Sequence, residues 1–166
     1  MVWDSARQAV VVGQGYDNNF VPSSSFYAFD PTADGGGWSP LVTTSTASAR
    51  SGAAFLGDLQ PLHVWAGVDD NGDLSNELYR LDLPDGGPQW TAVAAANPPS
   101  ARGYPTGVSV AGRRLIFGGY GVQGFNTIAL RDIWELEEDA GWTLTADGGI
   151  PFAHPGTVFT TAVARE

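Results

Sequence analysis

The sequence predicts an all-β repeat fold in which one four-stranded unit recurs three times, and three observations carry that prediction. Trp38, Trp90 and Trp142 recur every 52 residues. Arg50, Arg102 and His154 recur at the same interval, each preceded by an alanine (Ala49, Ala101, Ala153). The small pairs Gln14-Gly15, Ala66-Gly67 and Gly118-Gly119 share the period as well. Self-similarity at a fixed interval of this length marks a repeat architecture. No segment offers a sustained helical period.

Each period reads as four short strands. The first gives Met1–Trp3, Ala9–Val12, Ser25–Asp30 and Trp38–Val42. The second opens with Ser51–Leu56, turns at Gly57-Asp58, and continues with Leu62–Ala66. A polar loop from Asp69 to Ser75 leads into Glu77–Asp82, and the Pro84-Asp85-Gly86-Gly87-Pro88 turn precedes Gln89–Ala94. The third gives Thr106–Val110, Arg114–Phe117, Arg131–Glu137 and Trp142–Thr145. Strands of this length, rich in Val, Ile, Phe, Tyr and Trp and punctuated by Gly, Asp and Pro, are the all-β signature.

Composition limits the functional classes. The chain has 166 residues and a formal net charge of −10, with 43% hydrophobic and 16% charged residues, so it can bury a core and is not a disordered tail. An acidic balance disfavours nucleic acid and anionic membrane surfaces, both of which need cationic patches. The absence of cysteine excludes disulfides and thiolate metal sites. All eight cations are arginine, which with the many Gly, Ala, Pro and Asp residues suggests a GC-rich bacterial genome. No apolar run is long enough to span a membrane, and no signal peptide is visible; the expectation is a soluble protein, cytoplasmic or exported, of undefined compartment.

The third copy carries a family resemblance. Arg102-Gly103-Tyr104, Arg114-Leu115-Ile116-Phe117-Gly118-Gly119-Tyr120, Asp132-Ile133-Trp134 and Gly141-Trp142-Thr143 resemble the kelch repeat, and Met1–Arg7 with Gly15-Tyr16-Asp17 resembles its bacterial variant. The resemblance covers essentially the whole chain. It implies one four-stranded propeller blade per repeat: blades at about 1–48, 49–100 and 101–152, with 153–166 supplying the first strand of a further blade. The expected fold is thus an all-β, kelch-like β-propeller segment of three four-stranded blades plus one extra strand, Thr157–Val163. Three blades do not close a ring, since propellers have about four to eight. Closure is expected from self-association, for example a six-bladed homodimer, or from blades elsewhere. Glycine after the second strand lets backbones approach closely, and the repeated tryptophan fills the gap between sheets.

Strand alternation puts the second-to-third-strand loops and the links between repeats on one side. That face is the candidate partner-binding surface: Tyr16 and Asp17 with Asn18 and Asn19; Asp69, Asp70, Asn71 and Asp73; Tyr120, Phe125 and Asn126 with Gln123; and Arg50, Arg102 and His154 around the axis. For the arginines two readings stand, a polar ring that meets a ligand and a repeated structural group bonding backbone carbonyls of adjacent blades.

Catalytic constellations are not evident. Asp69-Asp70-Asn71-Gly72-Asp73 superficially suggests calcium, but Leu74 and Arg80 stand where the glycine and the acid belong, so a solvated Asn-Gly turn is expected. His63 and His154 have no second ligand at useful spacing. No Gly-x-Ser-x-Gly elbow occurs. Some kelch-like propellers belong to copper radical oxidases, which need a cysteine-crosslinked tyrosine; the cysteine-free sequence argues against that. The expectation is a non-catalytic binding or assembly module, with no cofactor and no catalytic or metal site, whose partner is another protein, other blades or itself. A carbohydrate-binding domain using Tyr16, Tyr120 and Phe125, or a fragment of a larger enzyme, is the alternative.

Overall fold

The computed structural model describes residues 1–57, 61–83, 85 and 87–147. Within them the chain forms strands and turns throughout. Blade 1 comprises β1 (Val2–Asp4), β2 (Ala9–Gly13), β3 (Phe26–Asp30) and β4 (Gly37–Pro40), antiparallel neighbours in sequence order. Blade 2 comprises β5 (Ala54–Leu56), β6 (His63–Val68), β7 (Leu74–Asp82) and β8 (Gln89–Val93) in the same order. Blade 3 comprises β9 (Thr106–Val110), β10 (Arg113–Phe117), β13 (Ile133–Leu136) and β14 (Trp142–Ala146); a separate hairpin, β11 (Tyr120–Gln123) and β12 (Asn126–Ala129), lies between β10 and β13. The architecture is an all-β, propeller-like arc of three four-stranded blades, none of whose sheets closes on itself. Among the described residues no helix is long and apolar enough to cross a membrane.

Each strand expected within the described residues is present, with three informative differences. The Asp69–Ser75 loop is shorter than the sequence suggests, because β7 already starts at Leu74 and pairs with Val68 across a bulge at Ala66. The stretch expected to lead β5 is reduced to an isolated bridge from Ser51 to Val68. The longer loop of the third copy is folded as the β11–β12 hairpin, turning at Gly124 with φ +60°. The expected strand Thr157–Val163 lies outside the described residues, as does His154.

Cores lie between the blades. Phe26 of blade 1 meets Trp90 of blade 2 with ring centroids 4.5 Å apart, surrounded by Val11, Leu62, Val64 and Leu81. One period later Trp65 of blade 2 meets Trp142 of blade 3 at 5.1 Å, among Leu56, Leu78, Ile116 and Leu136. Thus the repeated tryptophans of blades 2 and 3 each pack on the blade before.

The receiving side keeps a large ring but moves it between strands. The cross-strand pairs Gly13–Phe26, Trp65–Leu78 and Phe117–Ile133 hold equivalent positions. In blade 1 the large ring comes from β3 and its opposite residue is glycine, where a Cβ would lie 2.3 Å from the Phe26 ring. In blade 2 the large ring comes from β6. Native packing density demands one bulky group at this place, not a bulky group on a given strand.

Candidate functional site

Two regions carry side chains that the repeat does not simply consume: the loop face over the axis and the outer lateral face of blade 1.

On the loop face the arginines are clamps. Each lies in the connection that enters a blade. Arg102 is fully buried; its guanidinium donates to Asp132 Oδ1 and Oδ2 at 2.6 and 2.8 Å, to the Gly118 carbonyl at 3.2 Å and to the Ser100 carbonyl at 3.1 Å. It also stacks 5.6 Å over the Trp65 ring of the preceding blade. Arg50 repeats the pattern, donating to the Ala66 carbonyl at 3.1 Å, Ser75 Oγ at 2.7 Å and Glu77 Oε2 at 2.5 Å. Their backbone carbonyls accept from Gly15 and Gly67 N–H of the preceding blade at 2.9 and 3.0 Å. The glycine after the second strand is required there: at Gly67, φ +107°, a Cβ would stand 2.8 Å from the Ser51 carbonyl, and at Gly119, φ +86°, 2.7 Å from the Gly103 carbonyl. Every guanidinium edge is spent on protein acceptors that a bulk ligand would have to displace.

The paired acids respond to these contacts. Burial raises the Asp132 carboxyl, but hydrogen bonds from Arg102 and the Trp134 indole (2.7 Å) outweigh it and hold the group below its ordinary range. The hydrogen bond from Arg50 likewise depresses Glu77, although that side chain is 58% exposed.

The acidic loops are organised around their first aspartate. Asp69 Oδ1 accepts from Asn71 and Asp73 N–H, both at 2.9 Å; one period earlier Asp17 Oδ1 accepts from Asn19 and Val21 at 2.8 and 2.9 Å. These backbone donors lower both carboxyls. Asp70, Asn71 and Asp73 are exposed at the loop tip, and the described residues contain no group of three or more potential metal ligands.

A tyrosine group stands between the blades on the same face. The Tyr104 and Tyr120 rings stack with centroids 6.0 Å apart, and Tyr16, half exposed, joins them beside the Ser51 hydroxyl. Contact with Ser51 and then Tyr104 lowers the Tyr16 phenol, whereas burial raises Tyr104 and Tyr120. Tyr104 is absent from the sequence-based candidates; Gly52 and Gly103, whose added Cβ atoms would meet the Tyr104 and Tyr120 rings at 2.7 Å, are the local signal of that stacking. Phe125 and Asn126, at the hairpin tip, are exposed and separate from this group in the contacts formed.

The lateral face of blade 1 is missed by loop-based reasoning. Val10, Val12, Tyr27, Phe29 and Trp38 stand one period before Leu62, Val64, Tyr79, Leu81 and Trp90. The later set is core; Trp90 is 3% exposed. The earlier set has Trp38 61% and Tyr27 44% exposed, with Val10, Val12 and Phe29 half-buried. Trp38 retains one aromatic contact, to Phe29 of its own blade at 5.1 Å.

Comparisons with known proteins add the fold. No family model matches the chain, and no curated protein does. A solved structure titled "Structure of YjhT" resembles it with a TM-score of 0.64 at 16% identity, over 82% of this chain and 42% of that one. The chain therefore spans less than half the length of that structural neighbour, and the likeness is one of fold.

Proposed function

We propose that the chain is a non-catalytic, kelch-like assembly module, a segment of a β-propeller whose outer blade face takes another blade. The observation that supports this reading most is Trp38. It holds the position at which Trp90 and Trp142 are buried between blades, on a face whose five core positions are all apolar or aromatic. Contiguous apolar surface of that extent is uncommon on a soluble monomer and marks an interaction surface. The arginines, being clamped inside blades, support an architectural role over a catalytic one. The expected result is that the purified chain sediments above its 17.4 kDa chain mass at micromolar concentration, and that Trp38→Gln returns it to a folded single chain. A folded monomer that Trp38→Gln leaves unchanged contradicts the reading.

The tyrosine group favours a second reading, glycan binding on the loop face, since stacked phenols beside hydroxyls suit a sugar's apolar face and its hydroxyl rim. Binding on a glycan array that is lost in Tyr120→Ala and kept in Trp38→Gln would support it; no binding by the wild-type chain would contradict it.

A further inference from the structure

We infer that the loop face binds a cationic glycan, one whose sugar rings carry free, protonated amino groups. The inference rests on the glycan reading above and adds the charge of the ligand.

Two aromatic residues on this face stand where a side chain is unfavourable. Tyr104 has φ +54° and Phe20 has φ +61°, the left-handed region that strains any residue with a Cβ. One period away the same places hold glycine: Gly52 with φ +61° and Gly72 with φ +86°. Either residue serves the backbone equally, since Phe20 N–H donates to the Asp17 carbonyl at 3.1 Å and Gly72 N–H to the Asp69 carbonyl at 3.2 Å. Packing does not offset the strain at Phe20, which is 83% exposed. Blade 2 folds with glycine at both places, so the rings serve something other than the blade.

A second observation lies beside the phenols. Ser51 is 1% exposed, and its hydroxyl stands close enough to Tyr16 and Tyr104 to shift both phenols, yet the oxygen lies outside hydrogen-bond geometry to any protein group. Buried hydroxyls are ordinarily satisfied. A sugar hydroxyl or an ammonium seated on the tyrosines supplies the missing partner.

The same rings are edged by acid. Asp17 follows Tyr16 directly. Asp69 follows Val68, whose side chain closes on Gly103 together with the Tyr120 ring; an added Cβ there would lie 2.9 Å from Val68 and 2.7 Å from the ring. Backbone donors hold the Asp17 and Asp69 carboxyls below their ordinary range, so both are charged at neutral pH. Asp70 and Asp73 are exposed in the second loop, and Arg50 and Arg102 are buried in their clamps. An ammonium gains twice here, from the π faces of the tyrosines and from charge-assisted hydrogen bonds to the carboxylates. A neutral sugar uses only the rings, and an anionic one meets like charge.

The test is calorimetric titration of the full-length chain with a glucosamine tetramer and with its fully N-acetylated form, which has the same length and linkage but no charge. The amine form is expected to bind at least about tenfold more tightly, an advantage that falls as salt is raised from about 0.05 to about 0.5 M. Asp17→Asn, whose amide oxygen still accepts from the Asn19 and Val21 N–H groups, is expected to weaken binding of the amine form severalfold and leave the acetylated form unchanged. Tyr104→Gly installs the residue of the preceding connection; it is expected to keep the wild-type circular dichroism and lose both ligands, and Phe20→Gly repeats the test at an exposed site. Equal binding of the two tetramers, or tighter binding of the acetylated one, overturns the inference and leaves the glycan reading standing. Binding of neither at about 10 mM overturns the inference too, and a blank glycan array then overturns the glycan reading as well.

Discussion

Trp38 and Trp142 hold the same place in their blades and meet different environments. Trp142 is 3% exposed, packed on Trp65 of the preceding blade, while Trp38 is 61% exposed and touches only Phe29 among aromatic rings. Both lie on the fourth strand of their blade and pair with equivalent residues, Phe29 and Leu136. What differs is whether a neighbouring blade is present to receive the ring. A blade buries its faces against neighbouring blades, so repeat proteins are stabilised at junctions and their end surfaces must be capped or joined.

That comparison is sharpened most by truncating both rings. Trp142→Ala is expected to cost about 4 kcal/mol in denaturant unfolding, the range for a buried tryptophan. Trp38→Ala in the dissociated chain should cost under about 0.5 kcal/mol. Equal losses at low concentration would break the comparison.

The two clamps give a second contrast. Arg102 and Asp132 are 0% and 17% exposed in their side chains, whereas Glu77, opposite Arg50, is 58% exposed. Asp132→Asn strands a buried guanidinium and is expected to cost about 3 kcal/mol. Glu77→Gln should cost less than about 1 kcal/mol, since an exposed acid contributes little and Arg50 keeps its carbonyl and Ser75 bonds. Similar losses in thermal or denaturant unfolding would refute the difference between the junctions.

His63 places a pH dependence in blade 2. It is buried on β6, and burial first, then the charge of Arg114, lowers it to about 4; Arg80 opposes protonation further, and Asp82 favours it. The unfolded chain, near the ordinary 6.5, takes the proton before the folded one does. Stability is therefore lost as pH falls from about 6.5 towards 4, by on the order of 2 kcal/mol in all. His63→Leu, which installs the residue type found one period later at Leu115, is expected to flatten that slope; an unchanged slope would assign it elsewhere.

Much of the fold is legible because the 52-residue period repeats groups the junctions need: a tryptophan to fill each gap, a glycine whose N–H reaches the next connection, and an arginine to hold it. The β11–β12 hairpin was not legible as strands. Tyr120–Gln123 and Asn126–Ala129 carry Val122, Thr127 and Ile128 but lie in the inserted stretch of the third copy, which has no counterpart in the period to mark it as strand. The shift of the large ring from Phe26 on β3 to Trp65 on β6 is invisible to a period count, because the ring changes strand while the cross-strand pairing position stays the same. The candidate site was only partly legible. Loop composition pointed to Tyr16, Asp17, Asp69 and Tyr120, yet Tyr104 joins them only through folding, and the lateral face of blade 1 looks like any other core in sequence. Its apolar residues differ from buried ones solely in what stands opposite.

The most direct test of that difference is oxidative footprinting of the tryptophans by mass spectrometry, in wild-type protein held at concentrations spanning its sedimentation transition. The account predicts that Trp38 is protected to the level of Trp90 and Trp142 in the assembled state and becomes reactive on dilution while those two stay protected. Trp38 reacting as an open indole at every concentration, with Trp90 and Trp142 protected throughout, would contradict it.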